Sequence, residues 1–197
     1  AGLPTSKKGN VKAVLNKDIK TWPAISADGT TYEGNWEFHP GTGMGEIYMT
    51  TSTQALTSEP GGNPDGMGSK NKYVGEHPGT SREAMAFIKQ YANEGFILFS
   101  GGCGSNEYRV IGSQCNPVKL SPSIKDDKDG NITTLTFEQE QLNDDYVMFY
   151  YGTLPSEDDF AVASNEFALE KINGQVYKLP ANEDDAATAI AVTSSDL

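Results

Sequence analysis

Cysteine, histidine and basic residues are all scarce in this chain of 197 residues, and each shortage excludes something. Cys103 and Cys115 are the only cysteines, too few for a disulfide-stapled secreted scaffold. They flank a predicted hairpin from Gly104 to Gln114, which leaves a bridge across it open. His39 and His77 both precede Pro-Gly, and with two thiols they make a poor zinc set. No run approaches the ~20 apolar residues that span a bilayer. Ala1-Gly2-Leu3 lacks the apolar core of a signal peptide, so we expect a chain of cytosolic origin or one whose upstream signal has been removed. Lys and Arg total 15 against 27 Asp and Glu, a net charge of −12. That balance disfavours nucleic-acid binding, which depends on cations that displace phosphate counterions.

Recognisable chemistry is also lacking. Asp127, Asp129, Asn131 and Glu138 fit positions of a calcium loop, but Ile132 stands where that loop needs glycine to bend. Gly41, Gly43 and Gly45 lack the spacing and the following helix of a nucleotide-binding turn. His77 and Cys103 can be joined to an acid only on paper, because no nucleophile motif surrounds them. Asn131-Ile132-Thr133 matches a glycosylation sequon, a triplet common by chance. Trp22, Trp36 and the tyrosines suit core and strand positions better than a sugar-binding face. The expectation is no enzyme, no cofactor and no metal.

What the chain has is glycine, proline and aromatics: 21 Gly, 10 Pro, 2 Trp, 9 Tyr and 8 Phe. This mix favours many short strands joined by tight turns. Strands are expected at Val11 to Leu15, at Tyr32 to Phe38 by alternation, at Glu46 to Thr50, at Ile132 to Phe137 and at Tyr146 to Tyr151. Trp22-Pro23-Ala24-Ile25 can be only an edge segment. Val118 to Ile124 reads as a weak strand broken by Pro122. Ser52 to Lys70, rich in glycine and proline, reads as a long irregular loop and the main candidate for contact with another subunit. Its candidate contact residues are Leu56, Glu59, Pro60, Asp65, Met67 and Lys70. Gly152-Thr153-Leu154-Pro155 marks a boundary, giving a domain over 1–152 and an extension over 153–197. The extension holds a hairpin around Asn173-Gly174 and an acidic tail.

His77 to Val118 looks like the centre of the fold. Thr80 or Ser81 can cap a helix over about 81–93, with Glu83 placed for a capping box if Thr80 is the cap. Ala84, Phe87, Ile88 and Tyr91 form one apolar stripe, and Asn93 or Gly95 can end the helix. Phe96-Ile97-Leu98-Phe99 has no alternation, which predicts a strand buried on both faces. Tyr108 to Ile111 follows as a second strand. The expected core is Phe87, Ile88, Tyr91, Phe96, Leu98 and Val110, in a mainly β fold with one α-helix packed on the sheet.

Charge is uneven along the chain. Lys7, Lys8, Lys12, Lys17 and Lys20 face only Asp18 in the first twenty residues, whereas the segment beyond Gly152 carries nine acids against Lys171 and Lys178. Attraction between neighbouring copies is one reading, and solvated surface charge the blander one.

One family shares this order of elements. A basic arm precedes Gly34-Asn35-Trp36-Glu37-Phe38 and Glu46-Ile47-Tyr48-Met49. A long loop leads to His77-Pro78-Gly79 and a single helix, then Gly95-Phe96-Ile97-Leu98, Arg109-Val110-Ile111-Gly112 and an aromatic strand ending at Tyr151. Over roughly Val11 to Gly152 the chain resembles the major tail tube proteins of long-tailed bacteriophages, particularly those of Bacteroidetes hosts. The resemblance implies a β-sandwich or half-barrel of the tail-tube type, braced by one helix on the side away from any channel. It implies a virion tail protein assembled in the host cytoplasm, with itself as partner in stacked hexameric rings. Tape-measure and other tail proteins would be further partners, DNA would pass without specific binding, and no membrane is involved. The N-terminal arm (Lys7, Lys8, Lys12) and the 52–70 loop would bridge rings. Acids would line the lumen, with Glu33, Glu37, Glu46 and Glu138 as candidates. Two other classes stay open: a secreted carbohydrate- or protein-binding β-sandwich, and another virion component such as a capsid decoration or tail terminator protein.

Overall fold

The chain divides into two compact units, Ala1–Phe160 and Ala161–Leu197. The computed structural model describes residues 6–155 except Asp129 and Asp145, and the backbone of 169–172, 175–178 and 190–191. The strands of the first unit are β1 (Asn10–Leu15), β2 (Ile19–Thr21), β3 (Ala24–Ile25), β4 (Thr31–Glu33), β5 (Glu37–Phe38), β6 (Gly45–Tyr48), β7 (Ala55–Asn63) and β8 (Gly66–Pro78). After helix α1 (Arg82–Tyr91) come β9 (Gly95–Gly101), β10 (Glu107–Ile111), β11 (Val118–Asp127), β12 (Gly130–Gln139) and β13 (Met148–Tyr151). The fold is thus mainly β with one helix, in the manner of a half-barrel.

β9 organises the sheet. One of its edges pairs antiparallel with β1, from Lys12↔Phe99 to Leu15↔Phe96. The other edge is shared: β10 takes Leu98 to Gly101, and β11 takes Gly95 and Phe96. The change of partner occurs over residues 112–117, where Gly112 adopts φ +99° and leaves no room for a Cβ against Ile97 and the Phe96 carbonyl. The sheet therefore forks. One branch runs β10-β13-β4-β3, and the other runs β11-β12-β8-β7. The second branch curls back on itself, because Thr50 N, just past β6, donates to Glu76 O in β8 at 2.8 Å.

Both faces of β9 are buried, as its unbroken apolar run predicts. Phe96 and Leu98 join Val11, Leu15, Ile47, Tyr73, Leu120, Leu135 and Phe137 in a first core. Ile97 and Phe99 join Val14, Tyr32, Trp36, Met44, Val110 and Tyr150 in a second. Fully burying side chains of this size stabilises the fold by roughly 1.5–3 kcal/mol each. Trp36 packs edge-on to Trp22, Tyr32, Phe99 and Tyr150. Its buried indole Nε1 has no hydrogen-bond acceptor among the described residues.

α1 starts where Ser81 Oγ accepts from Ala84 N at 3.2 Å, so Ser81, not Thr80, is the cap. Phe87, Ile88 and Tyr91 lie half-buried against the first core, with Phe87 and Tyr91 6.3 and 6.2 Å from Phe96. Of the expected core, Phe96, Leu98 and Val110 are fully buried.

Three expectations need correction. Tyr32 to Phe38 is not one strand. Gly34 takes φ +113° and turns the chain, so β4 pairs with β3 and β13 while β5 pairs with β2 in a separate sheet. Pro122 does not break β11, because past Lys119 that strand has a partner on one side only, where proline is tolerated. Residues 52–70 are not an irregular loop. Most of them form the β7–β8 hairpin, in register from Ala55↔Val74 to Asn63↔Gly66 around Pro64-Asp65. Past the expected boundary at Gly152, Leu154 is buried in the second core.

In the second unit, β14 (Leu169–Ile172) pairs with β15 (Gln175–Lys178), and β15 with β16 (Ile190–Ala191). The expected hairpin is present, with Asn173 and Gly174 themselves outside the described residues. The acidic tail also lies outside them, apart from the backbone of β16.

Candidate interaction surfaces

The branch β11-β12-β8-β7 has one covered face and one face that is bare except at the hairpin end, where Leu142 lies over Gly61 and Gly68. Alternation sends Leu120, Leu135, Phe137, Tyr73 and Leu56 toward the first core. It sends Ser121, Thr136, Val74 and Ala55 to the other side as one cross-strand row, and Lys119, Glu138, Lys72 and Thr57 as the next. α1 packs on the core side. Among the described residues, β7 has no strand partner beyond β8, and β11 past Lys119 has none beyond β12. The branch thus ends in two long open edges on opposite sides. An open edge carries unpaired N–H and C=O groups that another strand can satisfy. β3, at the far end of the other branch, has only two residues and offers little.

The predicted contact residues lie on the hairpin next to the β7 edge. Glu59 and Pro60 are exposed on β7, Asp65 is in the turn, and Met67 is 58% exposed on β8. Leu56 packs partly into the first core, and Lys70 is tied to Glu138 at 2.6 Å. The hairpin is seated on its own chain: Leu142 fills the space left by the paired Gly61 and Gly68, and Ser69 and Asn143 exchange backbone hydrogen bonds at 2.7 and 3.1 Å.

The basic arm is engaged within the subunit from Ser6 onward. Lys8 N donates to Gly101 O, and Cys103 N to Ser6 O. Lys7 Nζ donates to Gln54 O at 2.8 Å and sits 5.4 Å from the centre of the Tyr73 ring; burial lowers its pKa. Lys8 Nζ lies over Tyr108, and Lys12 pairs with Glu46 at 3.7 Å. Gln54 is the hub that sequence reasoning missed. Its Nε2 donates to Lys8 O and Met49 O, both at 2.9 Å, and its Oε1 accepts from Tyr73 OH at 2.8 Å. Tyr73 OH also lies 3.1 Å from Ser100 Oγ. No motif marks a lone glutamine between a turn and a strand.

The four acids named as lumen candidates are not brought together. Glu33 lies on β4, Glu37 on β5, Glu46 on β6 and Glu138 on β12. Glu37 accepts from Thr21 Oγ1, and Glu46 from Asn10 Nδ2. Only Glu138 stands on the bare face, and hydrogen bonding from Lys70 lowers its pKa.

Cys103 and Cys115 are unpaired and exposed. They sit in the connections at opposite ends of β10, so no hairpin brings them together. Asp127 and Asn131 flank the β11–β12 turn while Glu138 is near the far end of β12, which dismantles the calcium-loop count. No group of metal-ligating side chains occurs among the described residues. Among them no helix is long and apolar enough to cross a membrane. No family model, curated protein or solved structure matches the chain.

Proposed function

We propose that this chain is a structural virion protein whose copies join into rings, and whose rings stack into the tail tube that conducts the genome. The observation that carries the reading is the pair of long open edges, β7 and β11, on opposite sides of one four-stranded branch. Pairing β7 of one copy with β11 of the next is a head-to-tail contact, and such contacts close into a ring when the rotation allows. Joining in this way makes one continuous sheet. The covered face carries the subunit's own core and α1, so the bare face is left to line the channel. The order of elements shared with tail tube proteins supports the same reading.

Negative-stain electron microscopy of the purified chain tests it. Rings or tubes with a central channel are expected, and a monodisperse monomer at high concentration would overturn it. Lysines placed on both edges, Thr57→Lys with Ser123→Lys, put like charges across the joint and should reduce ring yield without unfolding the subunit.

A further inference from the structure

The bare face of the branch is not acidic, although the chain as a whole is. Its strands place Lys70, Lys72, Lys119 and Lys125 there with Glu59, Glu76, Asp127 and Glu138, and Glu140 just past β12 reaches Lys119, so four cations stand against five anions and the face is close to neutral. The cations are held by carboxylates at short range. Lys119 lies 2.9 Å from Glu140, and Lys125 lies 3.0 Å from Asp127. Glu138 alone holds two, with Oε1 2.6 Å from Lys70 Nζ and Oε2 3.6 Å from Lys72 Nζ. Cross-strand register also sets Lys119 directly opposite Glu138. One carboxylate therefore stands between two lysines of β8, where a phosphate oxygen would otherwise fit.

We propose that Glu138 is the neutralising residue of this face: it occupies the ammonium groups of Lys70 and Lys72 and so keeps the surface from gripping a nucleic-acid backbone. The inference rests on the conduit reading for its purpose, since a channel wall repeated around a ring would multiply any lysine–phosphate contact by the number of copies. It also replaces the expected acid-lined lumen with a nearly neutral, internally paired one. The hydroxyls of Ser121, Ser123, Thr134 and Thr136, from adjacent strands of the same face, add a polar surface without charge.

The test compares wild type, Glu138→Gln and the triple variant Glu138→Gln/Lys70→Gln/Lys72→Gln for binding of a fluorescent 30-base-pair duplex across a salt series. Wild type should hold the duplex weakly or not at all. Glu138→Gln should bind about tenfold more tightly at low salt, with a log K against log salt slope steeper by about 1–2 for two added phosphate contacts. The triple variant should return to the wild-type curve. Equal binding by wild type and Glu138→Gln would overturn the proposal, as would a triple variant that still binds like Glu138→Gln. Glu138→Ser gives the same comparison if the glutamine variant does not fold. Electron microscopy of the same samples separates the two readings. A wild type that never forms rings removes the conduit, while the duplex titration still reports on the lysine clamp.

Discussion

Replacing Tyr73 by phenylalanine should loosen the N-terminal arm from the body of the subunit. The ring of Tyr73 is fully buried, and its hydroxyl joins Gln54 and Ser100, which are 8% and 6% exposed. Phenylalanine keeps the ring packing and the contact with Lys7. It removes one good hydrogen bond, worth about 1 kcal/mol, and leaves Gln54 Oε1 without its donor at a cost of about 1–3 kcal/mol. The sum is about 2–4 kcal/mol. For a unit of this size each kcal/mol moves Tm by about 2–4 °C, giving a fall of roughly 4–16 °C. Thermal unfolding measures the total, and amide exchange locates it. The N–H groups of Lys8 and Cys103 bond to Gly101 O and Ser6 O, so they should exchange faster in the variant, while β12 amides change only by the global loss. A Tm within about 2 °C of wild type, with unchanged exchange at Lys8, would refute the clasp. A pH series adds a signed check. Burial raises the pKa of Tyr73 above its ordinary value of 10.0. The neutral hydroxyl therefore contributes fully below pH 10, and stability falls as pH rises through the folded value. Tyr73→Phe should reduce that alkaline fall, leaving the parts due to Tyr150, whose pKa burial also raises, and to Tyr151, whose pKa is raised by its hydrogen bond to Glu107.

Other substitutions probe the remaining elements. Gly75→Ala places a Cβ against Met49 Sδ, and overpacking of this kind should cost about 1–3 kcal/mol in thermal unfolding. Phe137→Ala opens a cavity where β8, β9 and β12 meet and should cost about 3–5 kcal/mol, enough to populate unfolded chain in mild denaturant. Ser81→Ala removes the cap of α1 and should lower stability by about 0.5–2 kcal/mol, with no change in duplex binding. The depressed pKa of Glu138 predicts that its contribution is present above pH 4.5 and lost as pH falls through the folded value; Glu138→Gln should remove that acid-limb dependence.

How much of this was legible in the sequence depended on whether a local pattern or a distant partner set the outcome. The unbroken apolar run at Phe96–Phe99 foretold burial on both faces, and the stripe on Phe87, Ile88 and Tyr91 foretold which side of α1 meets the core. Both rest on nearest-neighbour periodicity. The 52–70 segment misled because glycine and proline signal loops when read locally. Here Gly61 and Gly68 are paired strand residues that make room for Leu142, more than seventy residues away from either. Gly34 was the reverse case, a glycine counted into an alternating strand where it in fact turns the chain. The Gln54 hub depends on Lys8, Met49, Tyr73 and Ser100 together, which no spacing reveals. Among the proposed lumen acids only Glu138 reached the bare face, because facing follows strand register and register is set by partners.

The forked β9 also has a consequence for how the subunit is made. β7–β8 and β11–β12 are hairpins closed by short turns, and such contacts form early because little chain must be ordered to reach them. β9 must wait for β1, some eighty residues earlier, to take its place from Lys12↔Phe99 onward. A newly synthesised chain therefore presents β7 and β11 as adhesive edges before its centre is complete. Pro60, Gly61 and Gly62 within β7 make that strand a poor template for indiscriminate pairing. If copies join through β7 as proposed, these residues on its edge would slow that joining until the core behind it has set.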